Sequence, residues 1–107
     1  MSIEPAPTFS TEFTSGTFAR ITGRVQGVNY RRSAKRQADE LGLIGWVRNA
    51  DDGAVEMLIG GAGPAVDSLL SWCRSGPSKA EVSQVETREA TEEELKTLPE
   101  SGFEVRR

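Results

Sequence analysis

The chain has 107 residues, with 13 basic and 16 acidic side chains, a net charge of −3, one cysteine and no histidine. That length fits a single domain, and the missing histidine removes Ser-His-Asp and Cys-His nucleophile arrangements together with the commonest metal ligand. The single Cys73 excludes an internal disulfide and suits a reducing compartment, no apolar run approaches membrane-spanning length, and the first residues lack the basic and apolar regions of a secretory signal, so a cytoplasmic protein without a membrane partner is expected.

Residues 1–16 are rich in Ser, Thr and Pro, carry no apolar period, and are expected to form a flexible tail ahead of a folded domain over 17–107. Residues 18–23 alternate, with Ala19 and Ile21 on one side and Arg20 and Thr22 on the other, and read as a strand. After a short loop, Tyr30, Ala34, Ala38 and Leu41 recur at helical spacing, and Gly42 is placed to end that helix. Residues 43–49 read as a second strand, Asp52-Gly53 as the signal of a hairpin turn, and 54–60 as a third strand with Val55, Met57 and Ile59 on one face. Gly63-Pro64 opens a second helix whose buried stripe is Val66, Leu69, Leu70 and Cys73. Residues 82–88 form a fourth strand, although Val82 and Val85 sit three apart and break strict alternation. Thr91 followed by Glu94 predicts a short capped turn, and 103–105 a short last strand whose placement the pattern leaves open.

This order of strand, helix, strand, strand, helix, strand is the split βαβ, or ferredoxin-like, arrangement. It is an α+β fold in which two helices cover one face of an antiparallel sheet. Fold by itself assigns no function.

The stretch from Gly23 to Arg31 holds the chemistry. Two glycines bracket a turn that enters a helix, and the first amides of a helix lack intrahelical partners and sit at the positive end of its dipole. Such a loop can build a concave anion site, to which Arg31 would add a planar charged fork. The bland alternative is a turn that needs glycine for its backbone alone, followed by a solvated arginine. Neither standard nucleotide pattern is present: Gly23 and Gly27 are too close for a P-loop and no Lys-Ser or Lys-Thr follows, while Val66 stands where a dinucleotide fingerprint needs its last glycine.

Charge supports capture of an anion. Arg20, Arg24, Arg31, Arg32, Lys35, Arg36 and Arg48 face only Asp39 and Glu40 between residues 17 and 48, whereas residues 81–100 are dominated by glutamate. The basic cluster has little aromatic interleaving and the whole chain is acidic, which disfavours nucleic acid. On spacing alone, Asn49 reads as a cap of the Asp-Gly turn, and Trp46 and Trp72 read as core packing.

Three segments taken together carry a family resemblance. Gly23-Arg24-Val25-Gln26-Gly27-Val28-Asn29-Tyr30-Arg31, Leu41-Gly42-Leu43-Ile44-Gly45-Trp46-Val47-Arg48-Asn49 and Asp52-Gly53-Ala54-Val55-Glu56 resemble the acylphosphatases, with similarity from about residue 18 to residue 105. The resemblance implies a small hydrolase of the carboxyl–phosphate bond of acyl phosphates, working as a monomer without metal or cofactor. It implies Arg31 and Asn49 as the catalytic residues and Gln26, Gly27, Val28, Asn29, Tyr30 and Arg31 as the phosphate-binding loop. Loop amides and Arg31 would hold the phosphoryl group, and Asn49 would position the attacking water. The expected partner is thus a small-molecule acyl phosphate, not a nucleic acid or a membrane. The rival is a non-catalytic anion-binding module, against which the presence of both Arg31 and Asn49 counts. Two departures from the family pattern stand out: Tyr30 brings a hydroxyl that needs a partner, and Ala50 cannot help to orient Asn49 through its side chain.

Overall fold

The computed structural model describes residues 16–107. The tail expected over residues 1–16 lies outside the described residues, apart from Gly16, whose carbonyl accepts from the Ala90 amide at 2.9 Å. Strands β1 (Thr17–Arg24), β2 (Ile44–Asn49), β3 (Val55–Gly60), β4 (Glu81–Glu89) and β5 (Phe103–Arg106) form one sheet in the order β4-β1-β3-β2-β5. Helices α1 (Tyr30–Glu40) and α2 (Gly63–Cys73) pack on one of its faces, and a single turn, α3 (Glu92–Leu95), follows β4.

Alternation builds the main core. Ala19, Ile21, Val47, Val55, Met57 and Ile59 point from the sheet to the helices and meet Tyr30, Ala34 and Ala38 of α1 and Val66, Leu69 and Cys73 of α2. Burying these side chains stabilises the layer by roughly 25 cal/mol per Å² of apolar surface. The α1 stripe is largely alanine, which lets that helix lie close to the strands. Its end is closed by Gly42 donating to the Asp39 carbonyl and Leu43 to the Ala38 carbonyl, the paired bonds of a Schellman motif that turns the chain into β2.

The first four strands pair antiparallel, as expected of the ferredoxin-like core. The last strand, β5, instead runs parallel to β2, with Phe103 opposite Gly45 and Arg106 opposite Arg48, so the sheet is mixed. β4 and β5 lie at opposite edges of the sheet, and residues 90–102 carry the chain from one to the other across the face away from the helices. Ala90 and Leu98 pack there on Phe18, Trp46 and Leu58, and Trp46 Nε1 donates to Thr97 Oγ1 at 2.9 Å.

Register explains the awkward spacing in β4. Thr22 faces Gln84 but Gly23 faces Val82, so Ser83 is an extra residue, a β-bulge that lets Val82 and Val85 both reach the core. Gly23 has φ 122°, and a side chain there would collide with the Glu81 carbonyl. The bulge therefore requires glycine at this point in β1.

Thr91 and Glu94 form the expected capping box, with Thr91 Oγ1 accepting from the Glu94 amide at 3.1 Å and Glu94 Oε1 from the Thr91 amide at 2.9 Å. The bidentate Arg88 fork on Glu94 holds its carboxyl down at about 2, below its unfolded value. The stabilisation is therefore complete above the unfolded carboxyl value and is lost as pH falls towards about 2. Glu94→Gln keeps the cap but removes the charge. Its unfolding midpoint is expected to lie modestly below wild type at neutral pH, the pair being partly exposed, and to converge with wild type in acid titrations. A gap that stays constant down to pH 2 would contradict this.

Candidate active site

β1 ends at Arg24, and residues 25–29 carry the chain to α1. Val25, buried in the core, anchors the start of this loop. Gly27 at φ 78° and Asn29 at φ 69° both adopt left-handed backbone, a conformation that glycine and asparagine tolerate best. Left-handed residues set among right-handed or extended ones turn successive amides to one side, as an anion nest requires. Asn29 is the N-cap of α1 but makes no capping bond, and the first turn has no acidic residue. Ser33, bonding to the Asn29 carbonyl at 3.1 Å, donates the first bond of the helix. The amides of Tyr30, Arg31 and Arg32 thus stand at the positive end of the helix without an intrahelical partner.

Tyr30, Arg31 and Arg32 border a pocket of about 390 Å³ that is also lined by Val25, Gly27, Asn29, Lys35, Asn49 and Val105. Every charged residue in that lining is cationic. Among the described residues, no carboxylate lies within ion-pair distance of Arg31. Arg31 Nη1 donates to the Arg106 carbonyl of β5 at 2.8 Å, which fixes one end of the guanidinium and leaves its other N–H groups uncommitted by this bond.

Arg31 and Asn49, 18 positions apart in sequence, meet in this pocket, together with Gly27, Asn29 and Tyr30 of the expected loop. Gln26 and Val28 do not line it. Val28 packs on the core, and the Gln26 side chain turns to the β2–β3 hairpin, where its Nε2 donates to the carbonyls of Ala50 at 2.9 Å and Ala54 at 2.8 Å. Tyr30 serves the pocket through its backbone, because its ring is buried 5.2 Å from Trp72 and its hydroxyl donates to the Cys73 carbonyl at 2.6 Å. Burial raises the Tyr30 hydroxyl well above its ordinary range and pushes the Cys73 thiol up to about 12, so neither supplies a nucleophile near neutral pH.

Asn49 does not cap the turn that follows it. The turn is closed by Ala50 N–H on the Ala54 carbonyl at 2.8 Å, Gly53 N–H on the Ala50 carbonyl at 3.2 Å and Ala54 N–H on Asp52 Oδ1 at 3.2 Å. Asn49 Oδ1 is buried and accepts from no described residue. An unmade buried hydrogen bond costs about 1–3 kcal/mol, and such groups gather at working sites. The Arg106 carbonyl and Val105 had no sequence signal, since β5 reaches Arg31 only through the fold.

A larger concavity of about 540 Å³ lies beside α2 and β4 and includes Asp67, Arg88 and Glu89. Its arginine is already engaged by Glu94, so it offers no anion site. Among the described residues, no group of three or more His, Cys, Asp or Glu side chains is arranged to hold a metal ion.

The family model described as Acylphosphatase matches residues 17–105. An acylphosphatase of Methylococcus capsulatus is 56% identical over 69 residues, covering 64% of this chain and 75% of that protein. One of Roseiflexus is 49% identical over 85 residues, covering 79% of this chain and 87% of that protein. The solved structure of an acylphosphatase from Coxiella burnetii superimposes with a TM-score of 0.76 at 36% identity, over 86% of this chain and 92% of that one.

Proposed function

The chain belongs to the acylphosphatase family and hydrolyses acyl phosphates, and from that premise we propose that Arg31 and the amides of residues 26–31 hold the phosphoryl group while Asn49 positions the attacking water. The observation that carries the reading is the meeting of Arg31 and Asn49 in one cationic pocket. Among the described residues, Arg31 has no carboxylate partner and the buried Asn49 Oδ1 has no hydrogen-bonding partner.

Hydrolysis follows from these parts. The phosphoryl oxygens sit against the loop amides and the Arg31 guanidinium, which stay in place as charge redistributes over the equatorial oxygens. Asn49 carries one acceptor and one donor end, enough to align a water opposite the leaving carboxylate. The water oxygen bonds to phosphorus as the phosphorus–oxygen bond to the acyl group breaks. A carboxylate is a good leaving group and needs no general acid. The lining offers no histidine or carboxylate, so a phosphoryl oxygen of the substrate takes the water's proton.

The same reading makes this a metal-independent reaction without cofactor. Turnover in excess chelator is expected to equal that of the untreated enzyme. Loss of activity restored by a divalent ion would contradict it.

Residues 17–107 form the working domain in this proposal, and residues 1–16 a dispensable tail. The working unit is a cytoplasmic monomer acting on a small molecule, with no nucleic acid and no membrane as partner. Among the described residues Val105, on the pocket wall, is the large hydrophobic residue left exposed, which offers little for a stable interface. No described helix is long and apolar enough to cross a membrane. Lys35 of the basic helix is engaged by Asp39 at 2.6 Å, which weakens that helix as a phosphate-backbone track.

A further inference from the structure

We infer that Gln26 is a positioning residue, one that sets the distance between the phosphoryl cradle and Asn49. The inference rests on the site proposed above and concerns a contact that the loop's amides do not explain. In the sheet order, β1 and β2 are not neighbours, because β3 lies between them. The loop leaves the end of β1, Asn49 ends β2, and the sheet holds them in relation only through the start of β3 at Val55.

Gln26 bridges that gap directly. Its Nε2 gives both hydrogens to the hairpin neck, one to the Ala50 carbonyl at 2.9 Å and one to the Ala54 carbonyl at 2.8 Å. These two residues are already joined by Ala50 N–H on the Ala54 carbonyl at 2.8 Å, and Ala50 directly follows Asn49 in the chain. One side-chain amide therefore fixes the hairpin neck beside Asn49 to the loop residue directly before Gly27, which lines the pocket. The contact is partly buried, so water replaces it poorly. Among the described residues nothing donates to the Asn49 Oδ1, so the placement of that carboxamide depends on the backbone that carries it.

The test is a double-mutant cycle of Gln26→Met, which keeps length and bulk but has no donor, with Asn49→Ala, read on turnover of an aryl acyl phosphate. In the wild-type background Gln26→Met is expected to lower kcat by about 10- to 10²-fold, as displacement of reacting groups by about an ångström does, with inhibition by inorganic phosphate changed less than about threefold. In the Asn49→Ala background the same substitution should change kcat less than about twofold, because there is no longer a water-positioning group to misplace. A purely structural clamp would move both backgrounds equally, and that additive result overturns the inference. So does a folded Gln26→Met protein with full kcat. Should Gln26→Met fail to fold by circular dichroism, Gln26→Asn, which keeps the amide but shortens its reach, carries the same cycle. If Asn49→Ala alone retains full turnover, the site reading falls and this inference falls with it. If Asn49→Ala is impaired and Gln26→Met is not, the inference alone is lost.

Discussion

Arg31→Ala is expected to lose at least about 10³-fold in kcat on an aryl acyl phosphate and to bind inorganic phosphate much more weakly, while remaining folded. Removing one preorganised donor from a charge-stabilising site costs about 10²–10³-fold, and Arg31 offers a charge and a fork together. Its guanidinium is held by the Arg106 carbonyl before substrate arrives, so little ordering remains to be done on binding. Arg31→Lys should recover less than about tenfold of the loss, since a point charge on a flexible stem does not reproduce two parallel N–H groups. The side chain is only half-buried at the pocket edge, so circular dichroism should report native helix content in both variants. Turnover of Arg31→Lys within tenfold of wild type would remove the fork from the mechanism.

Asn49→Ala is expected to behave differently. Its kcat should fall by roughly 10²-fold or more, with KM and phosphate inhibition close to wild type, because the group acts on water and not on the phosphoryl oxygens. Stability should hold as well. The hairpin is closed by Ala50, Gly53, Ala54 and Asp52, and Asn49 Oδ1 takes part in none of those bonds. A role as a turn cap would give the reverse pattern, with a lower unfolding midpoint and an unchanged rate per folded molecule. Thermal unfolding and steady-state kinetics on the same preparation separate the two.

Much of this architecture is legible in local sequence because local chemistry determines it. The Ala34 and Ala38 stripe, the capping box of Thr91 and Glu94, and Gly63-Pro64 at the start of α2 each follow from interactions within a few residues. The loop from Gly23 to Arg31 is legible for the same reason, its glycines and arginine being neighbours along the chain. What the pattern left open depends on distant partners. The four residues of β5 include one buried side chain, Phe103, too little to say which edge they join or in which direction. The three-residue step from Val82 to Val85 is irregular in the sequence alone, and only the register with β1 makes Ser83 a bulge. Asn49 reads as a cap on spacing alone because asparagine side chains commonly bond to the backbone of such turns. Only the assembled turn shows Asp52 accepting from Ala54 in its place. Arg31 on the Arg106 carbonyl, 75 residues away, and Gln26 on two carbonyls of the hairpin use backbone acceptors, which any residue type provides, so no sequence pattern announces them.

The central claim is a division of labour, in which Arg31 holds phosphate and Asn49 handles water. Calorimetric titration of inorganic phosphate into wild type, Arg31→Ala and Asn49→Ala tests it most directly, because it reads binding without chemistry. The account predicts a dissociation constant for Asn49→Ala within about threefold of wild type and one for Arg31→Ala weaker by at least about 30-fold, on the scale of a lost charge-assisted bidentate contact. Equal weakening in both variants, or unchanged binding in Arg31→Ala, would contradict it.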